Sequence, residues 1–375
     1  MKPVYLDYAA TTPVDARVLK AMLPYFCEQY GNPSSLYSFG REARQAVSQA
    51  RRQLASLLGA EPDEIFFTSG GSESDNWVIR SLSEEALRHG GGHIITTKVE
   101  HHAVLRACEA LPSGIEVTYL DVDSEGRVQP EAVESSLRPD TFLVSVMAAN
   151  NEVGTIEPIA EIGAICRAYG VFFHTDAVQA VGHIPVSVKE WQVDALSLSG
   201  HKLYGPKGIG ALYVKKGLRL PPLTFGGGQE KGMRPGTEAI PNIAAFAKAC
   251  EIRMAHFDED YAHVQELADY LRQQVAAELP NAVINGEGDI PHVVNLSVPG
   301  CKSEVMLHVL EGDEVYISSG SACSKGKQSG VLKALGLPKA RTDSALRVSF
   351  APFNTREDVD AFINAVKKGA KMFRR

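Results

Sequence analysis

The chain has 375 residues, 44% of them hydrophobic, and a formal net charge of −7 (38 Lys plus Arg against 45 Asp plus Glu). That supplies one large domain with a sizeable core and a smaller one beside it, and excludes the disordered class. The mild acidity gives no footing for nucleic acid as a direct partner, and no apolar run approaches the roughly 18 residues that span a bilayer, so no membrane association is expected. Six cysteines (Cys27, Cys108, Cys166, Cys250, Cys301, Cys323) are scattered without a C-x-x-C pair. Met1 to Asp7 lacks the basic flank and apolar stretch of a secretion signal. A reducing cytoplasm, thiols in place of disulfides, and no metal centre are the expectations.

In chain order, the pattern predicts a helix over Glu42 to Leu58 with Gly59 as its C-cap. A short strand, Ile65 to Thr68, is broken by Ser69-Gly70-Gly71. Ser72 then opens a helix with Asp75 as a capping-box partner. Strands at Ile94 to Thr97, Val117 to Leu120, Phe142 to Met147 and Val171 to His174 alternate with helices at Ala103 to Leu111, Pro130 to Leu137 and Ile159 to Tyr169. Beyond about residue 238 the texture changes. A long helical stretch from Ile240 to Leu279 is followed by a strand at His292 to Val298, a helix at Ser303 to Leu310 and a strand at Val315 to Ile317. A strand at Leu346 to Phe350 and a closing helix from about Arg356, N-capped by Thr355 with Asp358 at N3, complete the chain. The fold class expected is α/β: a mostly parallel central sheet covered by helices, with a smaller α+β C-terminal domain.

In such sheets ligands lie beyond the carboxyl ends of the strands, so the residues just after each strand matter most. Thr68-Ser69-Gly70-Gly71-Ser72 is either an ordinary tight turn or a phosphate site, because glycines admit close approach and a new helix offers free N–H groups. Glu100-His101-His102 reads equally as capped surface histidines, and Asn150-Asn151-Glu152 as a turn. His174-Thr175-Asp176 places an acid directly after an apolar strand. Ser197 to Lys202 runs a strand into Leu203-Tyr204-Gly205-Pro206, which leaves Lys202 badly placed for a solvated charge. A buried lysine is a usable nucleophile. A lysine that forms a Schiff base, with an aspartate to keep a pyridine nitrogen protonated, is the arrangement pyridoxal 5'-phosphate (PLP) requires. Finally, Ser318 to Lys327 sets Cys323 among small residues with Lys325 and Lys327 close by, a setting that lowers a thiol pKa. The other five cysteines lie mostly in helical or apolar context and read as inert. The same segment is no P-loop, because Gln328 stands where Ser or Thr is needed.

These segments resemble the NifS/IscS-type cysteine desulfurases of the class-V aminotransferase-like, fold-type I PLP enzymes. The resemblance runs essentially the whole chain. It is carried by Tyr5 to Pro13 (YLDYAATTP), Gly31-Asn32-Pro33-Ser34-Ser35, Ser72-Glu73-Ser74-Asp75-Asn76, Asn150 to Gly154 (NNEVG) and Arg234-Pro235-Gly236-Thr237. It implies that L-cysteine is converted to L-alanine while the sulfur is captured as a persulfide on Cys323. That sulfur then passes to an acceptor protein, either an iron–sulfur scaffold or an enzyme of tRNA or cofactor thiolation. By the same resemblance Lys202 carries the cofactor, Asp176 pairs with its ring nitrogen, Gln179 contacts its ring hydroxyl, and His101 stacks on the ring and moves protons. Gly71, Ser72, Ser199 and His201 hold the phosphate, and Thr237 completes that site from a second copy in a homodimer. Asn151 and Arg347 grip the substrate carboxylate, and Asn151 also borders the cofactor. The domains implied are residues 16–250, which bind the cofactor, and residues 1–15 with 251–375, which carry the cysteine loop. Gly71-Ser72 stand where relatives have Ala and Thr, and the stretch after Cys323 is shorter than in housekeeping members. Transamination and selenocysteine cleavage are the competing PLP chemistries, and Cys323 favours sulfur transfer over the first. A metal or iron–sulfur carrier fails on ligand spacing.

Overall fold

The computed structural model describes residues 3–320 and 328–373. Twelve strands run through it: β1 (Val4–Tyr5), β2 (Ile65–Thr68), β3 (Gly92–Thr97), β4 (Ile115–Leu120), β5 (Thr141–Ser145), β6 (Phe172–Asp176), β7 (Ala195–Ser199), β8 (Gly210–Val214), β9 (Val283–Asn285), β10 (Val293–Ser297), β11 (Val315–Tyr316) and β12 (Ala345–Ser349). Seven of them form the central sheet in the order β2-β8-β7-β6-β5-β3-β4. From β7 to β4 every pairing is parallel, while β8 runs antiparallel to both β7 and β2. The expected mostly parallel sheet is present, and β8, absent from the predicted elements, is its one reversed strand. Strands buried on both faces read as continuous apolar runs. Phe173, Leu196, Leu198, Ile94, Ile95 and Val144 are accordingly sequestered from solvent.

Helices cover both faces of this sheet. Helix Ser38–Leu58 has a pronounced apolar stripe (Val47, Leu54, Leu58) and ends in Gly59 at φ 68°, the left-handed C-cap the sequence predicts. Its stripe packs against helix Ile240–Ala255 in the main core. The long predicted helix is broken in two: Ile240–Ala255 ends at His256, and Phe257–Glu278 begins there. Asp258, Glu259 and Asp260 in the first turn of the second helix suit the positive end of its dipole.

A second sheet, in the order β12-β10-β9, is antiparallel, and β1 pairs with β11 in parallel. Helix Arg356–Phe373 and helix Phe257–Glu278 pack together over a separate core of Leu6, Leu271, Leu296, Leu346, Val348 and Phe362. Two isolated bridges, Asp7 with Ser349 and Ser318 with Arg347, tie the N-terminal segment and the chain after β11 to β12. Among the described residues no helix is long and apolar enough to cross a membrane, and no group of three His, Cys, Asp or Glu side chains stands ready to hold a metal ion.

Candidate active site

The carboxyl ends of β2, β3, β5, β6 and β7 converge on one cleft of about 220 Å³, closed on its other side by the N-terminal segment and β12. Ten residues singled out in the sequence line it. Gly71 and Ser72 come from the turn after β2, His101 from the segment after β3, and Asn151 from the segment after β5. Asp176 and Gln179 follow β6, Ser199, His201 and Lys202 end β7, and Arg347 comes from β12. Thr237 is exposed and does not line the cleft. Cys323 lies outside the described residues.

Lys202 sits on a single 3-10 turn, Gly200–Lys202, and is buried. Its ammonium donates to the carbonyls of Ala9 and Ala10, the second at 2.9 Å. The turn itself is clamped by the N-terminal segment. Thr12 donates both its N–H and its hydroxyl to the His201 carbonyl, and the Thr12 hydroxyl accepts the Tyr204 N–H at 3.0 Å. Tyr204 adopts φ 62°, a left-handed conformation costly for a bulky side chain, and that clamp holds it there.

The Asp176 carboxylate accepts the Val178 N–H at 2.9 Å. Burial raises its pKa, while His101 and Lys202 pull it back down. Asp75, expected as a helix cap, is fully buried under the cleft, and the helix Gly71–Arg88 has no side-chain cap. Burial and the neighbouring Asp176 push the Asp75 carboxyl well above the ordinary range, which favours its protonated form. His174, 3.6 Å from Asp75, is driven down to about 3 by burial and is held neutral by Ser145 and Ser197, each at 2.9 Å. His101 both caps the helix His102–Glu109, accepting the Ala103 N–H at 3.2 Å, and borders the cleft, with its pKa lowered by burial. His201 is likewise pushed down, to about 4.

Arg347 is held by two anchors: Nη1 donates to the Asn151 carbonyl at 2.9 Å and Nη2 to Asp7 at 2.7 Å. Its Nε is buried without a partner. The Asn150 side chain shapes the preceding turn, accepting the N–H groups of Glu152 and Val153. Asp7, Ala9, Ala10 and Asp75 were not among the candidates. Their signal lies in contacts with residues far along the chain, except for Asp75, whose capping pattern concealed it.

Of the remaining cysteines, Cys108, Cys166, Cys250 and Cys301 are buried, and burial pushes the Cys108 and Cys166 thiols up to about 12. Such thiols are inert at neutral pH. Cys27 departs from that pattern and is exposed.

The residues present fit pyridoxal phosphate. The cleft combines a buried primary amine, a buried carboxylate and an uncapped helix start at Gly70-Gly71, whose free N–H groups favour an anion. A Cβ at Gly71 would meet Val178 Cγ2 at 2.5 Å, so glycine keeps the backbone close to that wall.

The class-V aminotransferase family model matches residues 4–362. A cysteine desulfurase IscS of Clostridium botulinum is 45% identical over 380 aligned residues, covering 100% of this chain and 96% of the relative. The putative cysteine desulfurase IscS 1 of Bacillus subtilis is 48% identical over 370 residues, covering 96% of each. Among solved structures, a NifS-like protein superposes with a TM-score of 0.93 at 38% identity, covering 99% of this chain and 100% of that one. A structure described as SspA in complex with cysteine gives 0.84 at 38% identity, covering 94% and 99%. The chain therefore belongs to the class-V aminotransferase family, within its NifS/IscS-type cysteine desulfurases, and is a PLP-dependent enzyme.

Proposed function

We propose that the protein converts L-cysteine to L-alanine, captures the sulfur on Cys323 and hands it to an acceptor protein of iron–sulfur assembly or of thiolation. The observation that carries this reading is the meeting of Lys202, Asp176 and His101 in one buried cleft with Arg347 at its edge. Pyridoxal phosphate, when bound, supplies an electron sink for the pair left on the substrate α-carbon.

Lys202 would hold the cofactor covalently. Asp176 keeps a proton on the ring nitrogen, while the protonated Asp75 beneath it adds no second negative charge. Gln179 donates to the ring hydroxyl. Gly71 and Ser72 would offer their N–H groups to its phosphate, with Ser199 and His201 beside them in the cleft. Arg347 retains Nε–H and further guanidinium hydrogens beyond its two anchors, and with Asn151 these orient the substrate carboxylate. The Lys202 amine would accept the α-proton at Nζ, and His101, its pKa lowered by burial, would accept or return protons. The Cys323 thiolate bonds to the substrate sulfur as the carbon–sulfur bond breaks. The electron pair stays with the carbon fragment, protons complete alanine, and a persulfide remains on Cys323.

We further propose residues 16–250 as the cofactor-binding domain and 1–15 with 251–375 as the second, a division in line with the two separate cores. A homodimer brings the exposed Thr237 to the site of a second copy. Leu36 and Phe225, each 86% exposed, are apolar surface such an assembly would cover.

The test is visible absorbance of the purified protein, with alanine and persulfide assayed after L-cysteine is added. Wild type forms both products. Lys202→Ala loses the covalent cofactor band, and Cys323→Ala keeps the band but forms neither product. Equal turnover by Cys323→Ala would remove that residue from the reaction.

A further inference from the structure

Behind the cleft, a half-buried histidine and a buried one lie face to face. The His183 and His292 rings stack with centroids 3.7 Å apart and planes 19° from parallel. Neither ring belongs to the cleft wall, yet each touches a residue that does. His183 Nε2 lies 3.3 Å from the Lys202 carbonyl, and His292 Nε2 lies 3.3 Å from Gln179 Oε1.

The direction of these bonds follows from the partners. A carbonyl oxygen only accepts, so His183 Nε2 carries a hydrogen. Gln179 spends its Nε2 on the Ala9 carbonyl at 2.9 Å, which turns Oε1 toward His292 and makes His292 Nε2 the donor. Burial keeps both rings neutral, with Arg253 and Lys202 adding to that effect at each. A neutral imidazole has one N–H, so Nδ1 of each ring is bare, and His292 Nδ1 indeed has no partner.

The tautomer has a consequence for the cleft. Flipping the Gln179 amide would set an NH2 against the His292 N–H and an oxygen against the Ala9 carbonyl, losing two bonds and creating two repulsions. Gln179 is therefore fixed with its amide nitrogen toward Ala9, the carbonyl that also accepts from Lys202. Its second amide hydrogen remains as a donor for a ligand.

We propose that His292, braced by its stack on His183, is the positioning residue that fixes Gln179 as a hydrogen-bond donor to the cofactor's ring oxygen. His183 fixes the backbone of Lys202 from the same stack. This rests on the reading that the cleft takes pyridoxal phosphate.

The test titrates full-length apoprotein with pyridoxal phosphate, following fluorescence quenching and the absorption maximum. His292→Phe keeps a flat ring and removes the N–H. Its affinity falls about 5- to 10-fold, as expected for one lost hydrogen-bond restraint, and the maximum shifts. His292→Gln, which keeps a donor at similar reach, restores both. Because His292 acts through Gln179, the double variant His292→Phe/Gln179→Leu binds no worse than Gln179→Leu alone. Wild-type affinity and spectrum in His292→Phe, or additive losses in the double variant, overturn the proposal. Histidine ¹⁵N shifts of unsubstituted apoprotein test it without any substitution: His292 must be the neutral Nε2–H tautomer at pH 7, and the Nδ1–H form or a charged ring overturns it. Failure of wild type to take up the cofactor, or uptake into the same covalent band by Lys202→Ala, would instead overturn the reading of the cleft, and the ¹⁵N result separates the two failures.

Discussion

Arg347 is almost wholly buried, and among the described residues only Asp7 gives it a charged partner within hydrogen-bond reach. Burial raises the Asp7 pKa, while Arg347 and Lys202 oppose that rise. Breaking one side of a buried pair leaves the other charge uncompensated. Asp7→Asn keeps the shape and one acceptor but removes the charge. It is expected to lower unfolding free energy by about 2–3 kcal/mol, seen as a reduced urea midpoint with unchanged slope; an unaltered midpoint contradicts the pairing. At this scale the sequence was legible wherever chemistry sat next to a strand end. Lys202 and Asp176 each follow an apolar run, so their burial could be read locally. Asp7 could not be read that way, because its partner is 340 residues away. The carbonyls of Ala9 and Ala10 carry no side-chain signal at all. Asp75 fitted a capping pattern, and the competing demand of the buried layer beneath the cleft won.

Two elements show how the fold aims the lysine. The segment from Ala9 to Asp15 crosses the end of β7 and fastens the 201–204 turn through Thr12 and through the Asp15 N–H on the Tyr204 carbonyl. Thr12→Val removes the hydroxyl at almost constant volume and leaves the Tyr204 N–H unpaired. The expected cost is about 1–3 kcal/mol, with weaker retention of the cofactor on dialysis; full stability and retention would show that the clamp is idle. Strand β8 is the other element. A Cβ at Gly210 would sit 2.5 Å from the Leu198 carbonyl and 2.6 Å from Gly70 Cα, both backbone atoms. Gly210→Ala must therefore push β8 from β7 or displace the Gly70-Gly71 turn. It is expected to destabilise by about 2–3 kcal/mol and to weaken phosphate-dependent binding, measured by thermal melts with and without pyridoxal phosphate. The glycines around 205–210 announced a turn, and masked the short strand Gly210–Val214 that follows directly. The break at His256 was hidden by helical periodicity continuing on both sides.

Across the whole molecule, the buried ionisable groups set a stability profile with two limbs. His174 and His183 have pKa values near 3 in the fold against 6.5 for an exposed imidazole. As pH falls from 6.5 toward 3 the unfolded chain binds protons that the native state refuses, so stability is lost on the acid side. Glu157 shifts oppositely, from 4.5 to about 8, because burial outweighs its bond from the Val128 N–H at 2.8 Å and leaves Oε1 without a partner. Its native pKa exceeds the unfolded one. Between pH 4.5 and 8 the unfolded chain releases a proton that the native state keeps, so stability falls as pH rises through that window. Glu100, also raised by burial, adds to this limb. The apoprotein should thus be most stable between about pH 4.5 and 6.5, where the two limbs overlap. Glu157→Gln takes its proton out of the titration and keeps an acceptor for Val128. It should flatten the alkaline limb and exceed wild type by about 1–2 kcal/mol at pH 8, with little difference at pH 4.5. Urea unfolding at several pH values checks both the dome and its cause: if wild type loses no stability from pH 6.5 to 8 relative to Glu157→Gln, the carboxyl is already ionised in the fold and the assignment of that limb is wrong.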